Sequence, residues 1–327
     1  MKPWSFRKKF VFGVVFIFIG LMIYKGFESY RENKKNGDNQ PQSKNEILHL
    51  EINGVIMNGK KFLGQLKRYK KDESIKAIVI DINSPGGAVG PSQEIFTEIN
   101  RAKAETGKPV VCVSTGLIAS GGYYAALACD KIVVAPGTMI GSIGVIMEFA
   151  NLEKLYDWAK VSRYTIKSGK FKDSGSEYRA MRDDERKLFQ DMIDEVYAQF
   201  RDEVAKARKL DVEFVNQYAD GRVLTGATAV KLKFADAIGT FEDAVTMAAE
   251  MAHLGTDYKM FKPKKAKMSI FDFIDMDDED DDLNSLADIK HLLGKKSASL
   301  NLQQLAQMFL KTKYLNQPLY LMPGYWE

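Results

Sequence analysis

The sequence predicts an α/β domain built on a largely parallel sheet, and three observations carry that expectation. Apolar runs at 77–82, 109–113 and 131–135 have strand length and the continuity of strands covered on both faces. The first two end in tight turns rich in glycine and serine. A stretch of helical period or small residues then follows each of those turns, so strand, turn and helix alternate.

Taken in order, residues 47–56 alternate between apolar and polar, the pattern of a strand with one buried face. Residues 59–71 follow as an amphipathic helix through Phe62, Leu63, Leu66 and Tyr69. The run 77–82 ends in Asn83-Ser84-Pro85-Gly86-Gly87-Ala88-Val89, and a helix over 92–105 carries Ile95, Phe96, Ile99 and Ala102 on one stripe. Strand 109–113 leads into Ile118-Ala119-Ser120-Gly121-Gly122-Tyr123-Tyr124, with a short helix over 123–128 and a strand over 131–135. The glycine-spaced loop 136–145 lacks the Gly-Lys-Ser/Thr ending of a phosphate loop. Beyond it come a helix at 152–160, an extended stretch at 164–167 and a polar loop at 168–175. The long helix 183–210 has Leu188, Met192, Val196, Phe200 and Val204 as its stripe. Asp183 and Asp184 at its start and Arg208 and Lys209 at its end suit the helix dipole. Helical stretches at 214–218, 227–231 and 241–251 and the run 235–239 complete the domain.

Composition narrows the function. In 327 residues the hydrophobic share is 45% and the net charge only +4, without a basic face interleaved with aromatics, so nucleic acid is not expected as a partner. His49, His253 and His291 are scattered singly, which argues against a zinc cluster, and no cofactor is expected. Cys112 and Cys129 lie in apolar surroundings and read as buried small hydrophobes rather than as a disulfide or metal ligands. Lys2, Arg7, Lys8 and Lys9 precede an uncharged run at 10–24 that continues past Lys25 to Phe27. No small-x-small cleavage site follows, so 10–27 reads as an uncleaved single-pass anchor with 1–9 in the cytoplasm and the rest across the membrane. Residues 28–45 are a polar linker, and 46–251 the folded domain.

The chemistry centres on Ser120, which the pattern places at a strand-to-helix turn, where backbone N–H groups favour a nucleophile. An N-capping serine followed by a packing glycine pair is the plainer reading of the same residues. A serine nucleophile needs a base, and no histidine sits on a loop that follows it within the core. A lysine held neutral by burial can serve instead, and Lys167, Lys170 and Lys172 in the polar loop are the candidates. Sequence physics does not choose among them.

Five pieces run in a familiar order: Asn83-Ser84-Pro85-Gly86-Gly87, Ala119-Ser120-Gly121-Gly122-Tyr123-Tyr124, Gly141-Ser142-Ile143-Gly144-Val145, Ser168-Gly169-Lys170-Phe171-Lys172-Asp173 and Gly221-Arg222-Val223-Leu224-Thr225-Gly226. Together they make residues 46–250 resemble the signal peptide peptidase A family, peptidase family S49, in its short single-domain bacterial form. The resemblance implies the Clp protease/crotonase-like fold of repeated β-β-α units, here preceded by a transmembrane helix. It implies a Ser/Lys protease with Ser120 as nucleophile, Lys172 as general base and Ser142 orienting the lysine. Gly86 and Gly87, with the amide of Gly121, would form the oxyanion hole. The implied substrates are cleaved signal peptides and other membrane-associated or unfolded polypeptides. The implied location is the bacterial inner membrane, with the protease domain on the extracytoplasmic side. It also implies homo-oligomers in which one site draws its serine and its lysine from neighbouring subunits. Two other readings compete: a catalytically inactive membrane scaffold of the same fold, and a crotonase-like acyl-CoA enzyme.

The C-terminal quarter departs from that pattern. Residues 252–299 carry a lysine cluster and then Asp275, Asp277, Asp278, Glu279, Asp280, Asp281 and Asp282. This is read as a solvated spacer, because no EF-hand-like glycine interrupts the acids. Residues 300–327 combine an amphipathic helix with an apolar end, Pro318-Leu319-Tyr320-Leu321-Met322-Pro323-Gly324-Tyr325-Trp326. So apolar an end is expected to pack on the protease domain or a neighbouring subunit, as an added strand.

Overall fold

The computed structural model describes residue 41, residues 43–263 and residues 318–322. The expected segment 1–9, the anchor at 10–27, nearly all of the linker, the acidic stretch and the helix expected after residue 300 lie outside the described residues. Among the described residues no helix is long and apolar enough to cross a membrane.

Strand β1 (Glu46–Asn53) leads to helix α1 (Lys60–Tyr69), whose Phe62, Leu66 and Tyr69 are buried at helical spacing. Strand β2 (Ile75–Asn83) is buried almost throughout, as its run of β-branched residues requires of an inner parallel strand. It passes through the proline–glycine turn into short β3 (Gly86–Ala88) and helix α2 (Val89–Thr106), which Gly107 ends in the left-handed conformation. Strands β4 (Val110–Ser114) and β5 (Leu117–Ala119) then deliver helix α3 (Gly121–Ala126). Next come β6 (Lys131–Val134), β7 (Met139–Gly141) and the short helix α4 (Glu153–Trp158). Helix α5 (Asp183–Arg208), α6 (Val212–Asn216), β8 (Val223–Thr225), α7 (Gly226–Lys231), β9 (Ala237–Ile238), α8 (Phe241–Met251) and β10 (Lys259–Phe261) follow. Strand β11 (Leu319–Leu321) comes from the C-terminal end.

The main sheet has the order β10-β1-β2-β4-β6-β9, and every pairing in it is parallel. One face packs Leu48, Leu50, Ile78, Ile80 and Cys112 against Ile95, Tyr124 and Phe200 of the helices. The other buries Ile47, Val79, Val111 and Val133 under Ala244, Val245 and Ala248 of α8. A smaller sheet, β5-β7-β8, stands beyond the C-terminal ends of β2, β4 and β6. The chain thus turns twice at the same end of the main sheet, once after β2 and once after β4, and these turns carry the site.

Three expectations need correcting. Cys112 on β4 and Cys129 just after α3 form a disulfide, rather than two free buried thiols. Strand and helix end are packed one on the other, a proximity that spacing in the chain does not reveal. Residues 164–167, expected extended, join no strand, and Tyr164 and Ile166 are exposed. The stretch given to a spacer begins inside the fold, because β10 pairs with β1 through Glu46↔Lys259 to Leu48↔Phe261.

Candidate active site

Ser120 joins β5 to α3 with φ +52° and ψ −117°, a backbone region that L-residues rarely occupy. Its N–H donates to the Gly141 carbonyl at 2.7 Å, so the smaller sheet holds the turn. The hydroxyl makes no capping hydrogen bond to α3 and has no partner among the described residues, although the residue is 1% exposed. A capping serine would be spending its oxygen on the helix N–H groups. This one leaves it unspent in a buried place, where an unmade hydrogen bond costs roughly 1–3 kcal/mol. The plainer reading of Ser120 therefore fails.

The glycine turn after β2 crowds the serine. Gly86 has φ +97°, and a methyl group built on it would collide with the Tyr320 carbonyl while standing 2.6 Å from the Gly121 nitrogen and 3.0 Å from the Ser120 Cβ. A methyl on Gly121 would collide with the Ser92 hydroxyl and lie 3.2 Å from the Gly87 nitrogen. Gly86, Gly87, Gly121 and Ser120 thus meet in one place, closely enough that only glycine fits. Two buried hydroxyls that the sequence reading overlooked shape the turn. Ser84 Oγ donates to the Gly54 carbonyl at 2.7 Å and accepts from the Gly86 N–H at 3.1 Å, while Ser92 Oγ donates to the Ala88 carbonyl at 2.9 Å. Ser84 stood within the Asn-Ser-Pro-Gly-Gly motif, but nothing in the pattern marked Ser92. Ser142 directly follows the Gly141 that pairs with Ala119, so the second serine is brought beside the first, also buried and at φ +49°.

Lys172 is not brought to Ser120 within this chain. It is exposed on the loop after residue 166, and among the described residues no amine lies within hydrogen-bonding distance of the Ser120 hydroxyl. The loop nevertheless separates the three candidate lysines. Lys167 pairs with Asp173 and Lys170 with Asp184 (2.5 Å), whereas the amine of Lys172 has no carboxylate partner among the described residues. His49 lies across the sheet against Phe241 at 4.6 Å, where burial pushes its pKa down. It lies on the α8 face of the sheet and makes no hydrogen bond to the serine. On that same face His49, Glu51 and Asp81 bring donor atoms within 4.8 Å of one another, the described group best suited to a metal, and Lys262 already pairs with Glu51 there.

A charge network ties the loop to α5. Glu185, fully buried, accepts from both terminal nitrogens of Arg179 at 2.9 and 2.6 Å and from the Arg182 N–H at 2.9 Å. Arg179 holds its carboxyl at about 2, against the usual 4.5. Because the folded value is the lower one, this stabilisation is complete above the unfolded value and disappears as pH falls from there through about 2. Glu185→Gln should cost on the order of 1–3 kcal/mol through the lost charge-assisted hydrogen bonds, with Asp173 still pairing with Arg179 at 3.2 Å. Proteolysis of the loop at neutral pH should accelerate in that variant, and an unchanged cleavage rate would show that the network does not hold the loop.

The C-terminal strand lies in the cleft. Strand β11 runs antiparallel to β3, with Tyr320 opposite Gly87 and Met322 donating to the Pro85 carbonyl at 2.9 Å. On its other side Leu319 exchanges both backbone hydrogen bonds with Ile146, at 2.9 and 3.1 Å. Leu319–Leu321 thus form an added strand on the folded domain, as the apolar character of the C-terminal segment suggested.

Comparison with known proteins agrees with this arrangement. Peptidase family S49 matches residues 102–255, and the Clp protease family matches residues 47–140. A protein of Synechocystis sp., provisionally named a protease, is 40% identical over 66% of this chain and 77% of its own length. An Enterococcus faecium protein with the provisional name signal peptide peptidase SppA is 35% identical over 62% of each chain. The chloroplastic serine protease SPPA of Arabidopsis thaliana is 33% identical over 64% of this chain, which spans only 31% of that longer protein. With its parallel sheet, its glycine turn after β2 and its serine between β5 and α3, the chain belongs to peptidase family S49 and has the Clp protease-like α/β fold.

Proposed function

We propose that this protein is a membrane-anchored serine endopeptidase working through Ser120 and Lys172 on extended apolar peptides, cleaved signal peptides among them. The observation that carries the reading is the unspent, buried hydroxyl of Ser120 beside the backbone nitrogens of Gly87 and Gly121. The hydroxyl attacks a peptide carbonyl, and those two N–H groups receive the charge that develops on its oxygen. A neutral Lys172 takes the hydroxyl proton and passes it to the leaving amine, after which water hydrolyses the acyl-enzyme. Ser142, beside Ser120, orients the amine. The basic cluster and apolar run at the N-terminus support anchoring, with the domain on the extracytoplasmic side.

Lys172 reaches Ser120 from a second copy of the chain. Its loop and the preceding helix carry exposed apolar side chains, including Leu155, Val161, Ile166 and Phe171, with Trp158 79% and Tyr164 90% exposed. The first half of the α5 stripe, Leu188 and Met192, is also exposed, whereas Phe200 and Val204 further along are buried. So much uncovered apolar surface marks an interface. A second copy is its occupant because it completes a site that one chain leaves without a base. Burial there favours the uncharged amine.

Hydrolysis of an apolar peptide ester by the full chain tests the reading. Ser120→Ala and Lys172→Ala should each lower kcat/KM by roughly 10³-fold or more. Hydrolysis that survives Ser120→Ala undiminished would reject the serine mechanism.

A further inference from the structure

We infer that the acidic stretch 275–282 docks on the basic outer face of helix α1 of its own chain. The helix and the two residues after it, Lys60 to Lys71, hold six basic side chains and no acidic one. Phe62, Leu66 and Tyr69 turn inward, so Lys60, Lys61, Lys67, Arg68 and Lys71 stand exposed together on the opposite side. Glu105 of α2 serves the far end of the helix, 3.0 Å from Lys70 and 3.5 Å from Lys71.

The first turn of α1 breaks the ordinary rule for a helix. Its N–H groups and the macrodipole favour carboxylates, yet Lys60 and Lys61 occupy it and no acid sits there. The cap residue Gly59 has no side chain to offer, and Asn58 takes the Lys60 N–H at 3.2 Å. Lys67 and Lys71 are further like charges one turn apart. A face so at odds with its own helix is shaped for an anionic partner.

Residues 275–282, which lie outside the described residues, supply seven carboxylates in eight positions. The point at which the chain leaves β10 puts them within reach. Phe261 packs edge-on against Tyr69 of α1, 5.0 Å between ring centres, and Lys262 pairs with Glu51, so the outgoing chain departs from beside the helix. Twelve residues separate Lys262 from Asp275. That length spans roughly 20 Å as a coil and roughly 40 Å fully extended, and the helix face is about 18 Å long. The acids are therefore held near α1 at an effective concentration on the order of millimolar, an advantage that no partner from solution shares. Docked, they relieve the crowded lysines and give the helix start the charge it lacks. Contacts of this kind are exposed, so salt weakens them.

Zero-length carbodiimide cross-linking of the full chain, with mass mapping of the amides formed, tests this. Lys60, Lys61 or Lys67 should join carboxylates within 275–282. Raising the salt from about 0.1 to about 1 M, which shortens the screening length from about 10 to about 3 Å, should cut the yield several-fold. In a mixture of heavy-isotope and ordinary chains the links should stay within one label. Amide exchange gives a second reading. The first turn of α1 should exchange several-fold faster in a chain carrying Asp277→Asn, Asp278→Asn, Asp280→Asn and Asp281→Asn than in wild type. The inference is overturned if no link reaches α1, if the acids join only Lys264, Lys265 or Lys267, if the links cross between labels, or if the two chains exchange alike. Protection of α1 that arises only when vesicles of anionic lipid are added also overturns it, and makes a membrane surface the partner. None of these readings depends on the peptidase assignment.

Discussion

Chains bearing Ser120→Ala and chains bearing Lys172→Ala, each inert alone, should regain about a quarter of wild-type activity when dissociated, mixed one to one and reassembled. The fraction follows from independent draws. Half of the sites receive an intact serine, and half of those receive an intact lysine from the neighbour. A site made within one chain predicts no recovery at any mixing ratio. The experiment has this power because Ser120 is buried without a partner while Lys172 is exposed on a loop whose other two lysines are each held by a carboxylate. Ester turnover in the mixed sample, measured against particle size, gives the answer.

Gly86→Ala should lower kcat by roughly 10²–10³-fold, the scale of losing one oxyanion donor. At φ +97° the new methyl enters backbone space reserved for glycine, and at 2.6 Å from the Gly121 nitrogen it must push that amide aside. The fold should lose about 1–3 kcal/mol. That corresponds to a melting temperature lower by somewhere between 2 and 12 °C, roughly, for a domain of this size. Rate and melting temperature measured on one preparation separate the effects. A kcat within tenfold of wild type, at any melting temperature, would mean that the turn supplies no donor.

Much of the scaffold was legible because its strands are buried on both faces, and burial of that kind writes itself as continuous apolar runs. The runs at 77–82 and 109–113 became β2 and β4 within two residues at each end, and the helix expected over 241–251 became α8 with those bounds. The serine turn was legible as small residues between a strand and a helix, yet its meaning was not. Whether a hydroxyl caps a helix or stays unspent depends on a backbone angle that composition does not encode. The pairing of Cys112 with Cys129 and the crowding of Ser92 on Gly121 arise from contacts between distant elements. Such contacts leave no period in the chain. The α5 stripe taught the same lesson from the other side. Its spacing from Leu188 to Val204 is uniform, but only the half that faces Tyr124 and Tyr320 is covered by its own chain.

All strands of the main sheet point one way, and the first and last in sequence lie side by side at its edge. The polypeptide therefore comes in at the floor of the domain, where β1 starts, and β10 runs up beside only the first three residues of β1, Glu46 to Leu48, heading toward the serine's end of the sheet. Any leash on the incoming stretch pulls at the floor and leaves the mouth of the cleft facing outward. The outgoing strand, being parallel to β1, already points to the side where β11 pairs with β3.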